Sequence, residues 1–169
     1  NPDVAQDFPN AENFADDNYD NWLDYTGILN VGEGYIVFPQ PNNSGSGSYN
    51  MTFQNGTLNT GDITFDVIYN TPGPTADNNK NASPNVLANP YPSAISAVDF
   101  INANAMVSEV YFWEHITLPS PLLPGAGSMN FNMEDISMYN LMGGLPASSD
   151  PSGTDTKPNG FISTGQGFG

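Results

Sequence analysis

Four aspartates near the start of the chain, Asp16, Asp17, Asp20 and Asp24, are of a type and spacing that could bind a metal ion. Asp16, Asp20 and Asp24 recur every four residues, so their like charges would repel one another on a helix. A loop therefore suits them better. It is either a solvated loop held by neighbouring aromatic side chains or a set of oxygen ligands for calcium, although the strict EF-hand pattern is absent. Calcium is the one cofactor that the sequence suggests.

A second candidate site is the aromatic run Tyr111, Phe112 and Trp113, which lies in a predicted strand over 109–116. Side chains alternate across a strand, so Tyr111 and Trp113 share one face and Phe112 takes the other. One interpretation is core packing on both faces of a sheet. The other is an exposed Tyr111–Trp113 platform that binds glycans by stacking on sugar rings.

The single histidine, His115, is the residue from which an enzyme site would have to be built. Its neighbour Glu114 would point to the opposite face of the strand, so the two side chains could not act together. The sequence has no strand–turn–helix context for a nucleophilic serine and no second histidine for zinc. Its many carboxylates include no pair that the context marks for glycoside hydrolysis. We therefore predict a non-enzymatic protein without catalytic residues.

The charge balance excludes several classes of partner. The 169 residues include 18 acidic residues but only two lysines and no arginine, which gives a net charge of −16. No basic patch can form for nucleic acid, and docking on an anionic membrane is opposed. No apolar stretch approaches the length of a membrane span, so we expect no membrane insertion.

The abundance of turn-forming residues predicts short strands joined by ordered turns, since the chain has 17 glycines and 15 prolines. Strands are predicted over 35–38 and within 131–141, and a hairpin over 49–70 that turns at Asn55-Gly56. Ser96, with Asp99 three residues later, marks the start of a helix over 96–104. The expected fold is all-β, a β-sandwich that is jelly-roll-like or immunoglobulin-like, with this one short helix.

A stiff segment, Asn89-Pro90-Tyr91-Pro92, precedes the predicted helix. The prolines fix their own backbone angles and hold the residues before them in extended geometry, and Asn89 can hydrogen-bond within the turn. Tyr91 is expected to point into the core. An architectural corner is one interpretation and a ligand-gripping loop is the other.

Two stretches of the chain resemble each other, LNVGEGYI (29–36) and ISTGQGFG (162–169). The pairs Gly32 and Gly34, and Gly165 and Gly167, have the spacing of a bulge or a positive-φ turn just before a strand. A nucleotide-binding loop would need a third glycine and a following helix, which the sequence does not provide.

Taken in order, GEGYIVF (32–38), NPYPSAI (89–95), VYFWEH (110–115) and ISTGQGF (162–168) resemble a β-rich module of secreted and cell-surface proteins of Bacteroidota. Such proteins use the type IX secretion system, and many are adhesin-like. The resemblance covers about residues 28–169, and residues 1–27 form an acidic, aromatic N-terminal segment. Ala88 stands where that module usually has glycine, and the module usually continues with an apolar strand after its last Gly-Gln-Gly-Phe.

The resemblance implies an extracellular or cell-surface location and a fragment of a longer secreted protein. We expect a non-enzymatic structural or adhesive module of a surface protein or of an appendage such as a filament. Its partners would be neighbouring copies or other domains of a surface assembly, and glycans are a further candidate. The alternative is a carbohydrate-binding module of a secreted hydrolase, for which Tyr111 and Trp113 would supply the stacking surface.

Overall fold

The computed structural model of the protein describes residues 25–37, 56–67, 85–123 and 130–169. The elements in these ranges are mostly short strands, with one α-helix. In chain order they are β1 (Leu87–Ala88), β2 (Ile95–Ser96), α1 (Ala97–Ala103), β3 (Glu109–Trp113), a 3-10 turn (Met133–Asp135), β4 (Ile136–Asn140), β5 (Gly143–Leu145), β6 (Phe161–Ile162) and β7 (Gly167–Phe168).

The strands pair in antiparallel fashion in three small sheets, β3–β4–β5, β1–β7 and β2–β6. The first two sheets are joined by main-chain hydrogen bonds. The Tyr111 amide donates to the Gly169 carbonyl at 2.9 Å, and the Gly169 amide donates back to the Tyr111 carbonyl at 3.0 Å. Two bonds exchanged between one pair of residues are the pattern of antiparallel neighbours, so β7 lies between β1 and β3.

The helix forms where the capping residues predicted it. The Ser96 hydroxyl accepts a hydrogen bond from the Asp99 amide at 3.2 Å, which satisfies one of the free donors of the first turn. Ala97 and Ile101 face inward and are buried. Phe100 packs edge-on against Phe168 of β7, with ring centroids 5.3 Å apart, which fixes α1 against the sheet.

The core is one cluster of buried side chains. Val110 and Phe112 of β3 and Phe168 of β7 contribute to it. Ile162 of β6 and Ala97 of α1 complete it, and both are fully buried. The alternation of β3 is therefore confirmed, because its even-numbered residues point to the core and its odd-numbered residues point away.

Asn89 is the centre of the corner between β1 and β2, and it is only 2% exposed. Its side-chain amide donates to the Ser93 and Ile162 carbonyls, both at 2.9 Å, and its side-chain oxygen accepts from the Tyr91 amide at 3.0 Å. The predicted bond within the turn is thus confirmed. The bond to Ile162 also ties the corner to β6, 73 residues later in the chain.

Tyr91 does not enter the core, contrary to the prediction. Its ring is half-buried and its hydroxyl donates to the Gly61 carbonyl at 2.7 Å, while the Asn59 amide donates to the Pro90 carbonyl at 2.8 Å. The phenol keeps a polar partner near solvent in this position, whereas an apolar core would offer it none. The rigid corner therefore binds the segment around Asn59 and Gly61 through these two hydrogen bonds. Pro92 is exposed at the surface of the corner.

The two glycine-containing repeats lie on opposite edges of β1. Gly32 and Gly165 both adopt positive φ, at 83° and 70°, each as the third residue of a turn. The second repeat adds a bulge opposite Asn89, since the Gly165 amide donates to the Asn89 carbonyl and the Asn89 amide donates to the Gln166 carbonyl. The predicted positive-φ turn and bulge are confirmed.

The second glycine of each repeat, Gly34 or Gly167, lies beside β1. A side chain added at Gly34 would place its Cβ 2.5 Å from Val86 Cγ1, and Gly167 pairs directly with Ala88. Close approach of Val86 and the β1 backbone therefore accounts for Gly34, whereas an added Cβ at Gly167 would lie 3.7 Å from the Leu87 carbonyl oxygen, an ordinary contact distance.

Two predicted strands are wrong within the described residues. Residues 35–37 form no strand, and the nearby pairing is a single bridge between Glu33 and Leu87. Residues 56–67 of the predicted hairpin are irregular, while residues 49–55 lie outside the described ranges. The alternation does orient Ile63 and Phe65 inward, but alternating side chains do not create a strand unless the backbone also finds a partner ladder.

Candidate functional site

The outward face of the β3–β4–β5 sheet carries large side chains that remain accessible. Tyr111 is 40% exposed and Trp113 44% exposed, and Leu145 of β5 is 57% exposed. Register places Tyr111 opposite Met138, and Met138 opposite Leu145. We call this surface the aromatic face, defined by Tyr111, Trp113, Phe131, Met138 and Leu145.

Trp113 is held in a cluster of rings at one end of the aromatic face. Its ring centroid lies 4.9 Å from that of Phe131, nearly perpendicular, and 5.2 Å from that of His115. Edge-to-face pairs of this kind are favourable beyond the area that they bury. Trp113 therefore presents a fixed surface to solvent instead of a freely rotating ring.

His115 has an unusual backbone. Its φ of 46° is the one positive value of a non-glycine residue among the described parts of the chain. A side chain in this left-handed region is strained, and such residues persist only where the surroundings hold them. This backbone conformation turns the chain out of β3 shortly after Trp113. It brings the His115 ring beside Phe131, with ring centroids 5.6 Å apart.

A buried carboxylate anchors this turn from below. Asp135 is fully buried, and it accepts hydrogen bonds from the Thr117 amide at 2.8 Å, the Thr117 hydroxyl at 2.7 Å and the Ser149 hydroxyl at 2.6 Å. Burial raises the pKa of Asp135, but the bonds from Ser149 and Thr117 and the nearby His115 outweigh it and hold the pKa below its usual value. The ionised carboxylate thus fixes the loops on either side of the aromatic face.

Tyr111 is oriented by its neighbour on the same face. Its hydroxyl donates to the Glu109 carboxylate, and Glu109 lies opposite Asn140 on β4. Partial burial and the Glu109 carboxylate raise the pKa of Tyr111 to about 12, so the phenol stays protonated and remains a donor at neutral pH. Its partner Glu109 is a half-buried acceptor that contributes negative charge beside the ring.

A shallow groove of about 480 Å³ continues the surface beyond Glu109. Glu109 and Asn140 line the groove and lie two residues from Tyr111 and Met138 on the same two strands, which makes the groove continuous with the aromatic face. Apolar side chains line much of the rest, among them Val107 and Met142, and Met142 is 97% exposed. The surface therefore combines aromatic rings, a carboxylate and an apolar trough.

The other residues with predicted roles lie elsewhere. Asp16, Asp17, Asp20 and Asp24 lie outside the described ranges, so the proposed calcium site stays a prediction. Within residues 25–37, 56–67, 85–123 and 130–169, no group of three or more histidine or acidic side chains could hold a metal ion. In the same part of the chain, no helix has the length and apolar character to cross a membrane.

The sequence pointed to Tyr111 and Trp113 but not to the residues that complete their surface. Phe131, Met138 and Leu145 join them only through strand register and the turn at His115. Asp135 also went unrecognised, because nothing in its sequence neighbourhood distinguishes it from the other acidic residues. The predicted strand within 131–141 had no defined start, so the sequence did not show that Asp135 directly precedes β4.

A family model matches residues 6–169, nearly the whole chain. The chain belongs to the DUF8693 family. The description of DUF8693 is a domain of unknown function. The match to DUF8693 runs through both the N-terminal segment 1–27 and the module 28–169. No curated protein and no solved structure matches the chain.

Proposed function

We propose that this DUF8693 chain is a non-enzymatic structural or adhesive module of a bacterial surface protein or appendage, exported by the type IX secretion system and located at the cell surface or outside the cell. The observation that carries the proposal is the aromatic face. Trp113, Tyr111 and Leu145 stay accessible on a sheet whose opposite side is packed into the core. The sequence resemblance to secreted Bacteroidota modules supports the location and the export route.

An exposed group of tyrosine, tryptophan and leucine side chains is the composition of a contact surface. Exposed apolar patches on soluble proteins commonly mark interaction sites, and aromatic residues are enriched at the centres of interfaces. The rings of the aromatic face are fixed by Phe131, His115 and Glu109, so they lose little freedom on binding. The net charge of −16 keeps such a surface soluble in spite of its apolar content.

The proposal includes a β-sandwich of jelly-roll-like or immunoglobulin-like type. Its support is the second layer made by β2, β6 and α1, which buries Ile162 and Ala97 against the larger sheet. Two layers of antiparallel strands around one core are the arrangement that a sandwich requires. The N-terminal segment 1–27 would add a calcium site at Asp16, Asp17, Asp20 and Asp24 that links neighbouring copies or domains.

Electron microscopy of the native material tests the assembly role. We expect ordered filaments or arrays, which a calcium chelator disperses if the N-terminal aspartates bridge neighbours. Trp113→Ala should weaken the attachment of other domains of the assembly to the aromatic face, whereas Phe161→Ala, which removes a 58%-exposed ring from β6 away from the aromatic face, should leave it intact. Single particles for the unmodified chain under both conditions would refute the assembly role.

The second candidate is a carbohydrate-binding module of a secreted hydrolase. Tyr111 and Trp113 lie two residues apart on one face of β3, so their rings could stack on successive sugars of a chain. Asn140 and Glu109 beside them could hold hydroxyl groups. A screen of neutral polysaccharides with the unmodified chain and Trp113→Ala tests this role. Binding that survives loss of Trp113 would contradict the stacking surface.

A further inference from the structure

The charge distribution restricts what can cover the aromatic face. A second copy of this chain offers only two lysines, Lys80 and Lys157, against 18 acidic residues, and it carries the same net charge of −16. Two such surfaces repel each other unless cations lie between them. A partner with basic side chains meets the opposite situation, because its charge complements that of the whole chain.

We propose that the aromatic face and its adjoining groove bind a basic segment of a different polypeptide, in which arginine or lysine at two alternate positions is followed by apolar residues at the next alternate positions. This inference rests on the proposed adhesive function and names its partner class. The aromatic face supplies the rings for the cations, Glu109 supplies a carboxylate, and the groove accepts the apolar side chains.

The rings are placed for contact with cations. A guanidinium or ammonium group binds over the face of a tryptophan or tyrosine ring, and tryptophan is the better partner. Trp113 and Tyr111 are both accessible on one face of β3. Two cations on alternate residues of an extended segment could therefore each bind over one of these rings. The bond from Tyr111 to Glu109 fixes the phenol ring and places a carboxylate beside it, where a second donor from the same cation can bind.

The groove explains why the partner must also be apolar. Glu109 and Asn140 form its border with the aromatic face, and Val107 and Met142 line it. Methionine side chains adapt their shape to different apolar groups, and Met142 is almost fully exposed. A purely basic segment would leave this apolar lining in water, whereas apolar residues that follow the two cations on the same face of the segment would cover it.

Fluorescence anisotropy with a labelled octapeptide that has arginine at positions 1 and 3, leucine at positions 5 and 7 and serine between them, at 150 mM salt, tests the inference on the whole 169-residue chain. The same peptide with glutamate in place of both arginines is the charge control. We expect saturable binding of the arginine peptide alone. Trp113→Ala should raise Kd by about three- to tenfold, the range expected for loss of a cation–π contact. Trp113→Phe should restore part of the affinity, and Glu109→Gln should weaken binding and reduce its salt dependence.

Two variants serve as matched controls. Phe161→Ala removes an exposed ring of β6, and Glu134→Gln removes one exposed negative charge outside the aromatic face. Both should leave Kd within about twofold of the unmodified chain, because long-range charge is nearly unchanged. Circular dichroism before each titration checks that every variant is folded.

Equal affinity of Trp113→Ala and the unmodified chain would overturn the inference, since binding would then reflect net charge alone. Binding of neutral polysaccharide at Trp113 without binding of the arginine peptide would overturn it in favour of a glycan. Neither result depends on whether the unmodified chain forms filaments or arrays, so electron microscopy distinguishes failure of the adhesive function from failure of the partner class.

Discussion

Replacement of Asn89 by alanine should destabilise the whole fold, although no ligand or partner contact is involved. The side chain is buried, and it makes hydrogen bonds to the Ser93 and Ile162 carbonyls and from the Tyr91 amide, all between 2.9 and 3.0 Å. Alanine removes these bonds and leaves the three backbone groups without that partner. The corner before β2 and its link to β6 would both loosen.

The expected loss follows from the number of bonds. Each hydrogen bond contributes about 1 kcal/mol net, and a buried group left unpaired costs more. Three bonds therefore predict a loss of about 3 kcal/mol in the free energy of unfolding, a large share of the 5–15 kcal/mol that is roughly typical of a domain. Asn89→Asp should cost more near neutral pH, because a buried carboxylate would face the carbonyls of Ser93 and Ile162.

Urea denaturation followed by circular dichroism measures the difference, provided that the slope of the transition is unchanged. Asn102→Ala is the matched control, since Asn102 is exposed on α1 and its replacement should change stability by less than about 0.5 kcal/mol. The buried carboxylate of Asn89→Asp should have a raised pKa, so its deficit relative to the unmodified chain should shrink as pH falls. A loss below about 1 kcal/mol for Asn89→Ala would refute the reasoning.

Three further predictions concern other parts of the fold. Gly144→Ala should destabilise the protein by about 2 kcal/mol or more, because the added Cβ would lie 2.2 Å from the Pro158 carbonyl oxygen. Gly56→Ala is the control, since its added Cβ meets nothing within 4 Å and should be tolerated. Thermal unfolding of both variants compares them. Asp135 has a lowered pKa in the folded state, so its contribution to stability is present above the unfolded pKa of 3.8 and is lost as pH falls through the folded pKa. Urea denaturation at a series of acidic pH values measures this loss. Asp135→Asn should have a lower free energy of unfolding at pH 7 and should lose less of it on acidification. Tyr111→Phe should remove from the ultraviolet titration curve a phenol that ionises near pH 12, and a missing phenol that ionises near pH 10 would contradict the effect of burial and of Glu109.

Local signals were sufficient wherever neighbouring residues decide the structure. The cap formed by Ser96 and the amide of Asp99 requires only residues three apart, and α1 begins there. The positive φ of Gly32 and Gly165 follows from the turn that each closes. The alternation over β3 correctly separated Val110 from its neighbours, because a strand of period two has no other way to orient them.

Local signals could not predict contacts between residues that are far apart in the chain. Alternation over 63–67 placed Ile63 and Phe65 on the more buried side but not Val67, which is 50% exposed, and no strand forms there because a ladder depends on a partner strand that the pattern does not name. Tyr91 was predicted to point into the core from the stiff segment between its two prolines, yet its hydroxyl bonds to the Gly61 carbonyl, 30 residues away. The partner of a polar atom is chosen by the tertiary fold, so the destination of an amphipathic ring cannot be derived from its neighbours.

The sequence by itself determined the β-rich class, the capped helix, the glycine turns and the strong negative charge, because composition and short-range geometry decide these properties. It also identified Tyr111 and Trp113 as sharing a face, but not which way that face points. Only the tertiary structure decided that α1 and β6 cover the side of Val110, which leaves the side of Trp113 accessible. A strand has two faces of equal standing until another layer packs on one of them, and that layer comes from residues far away in the chain.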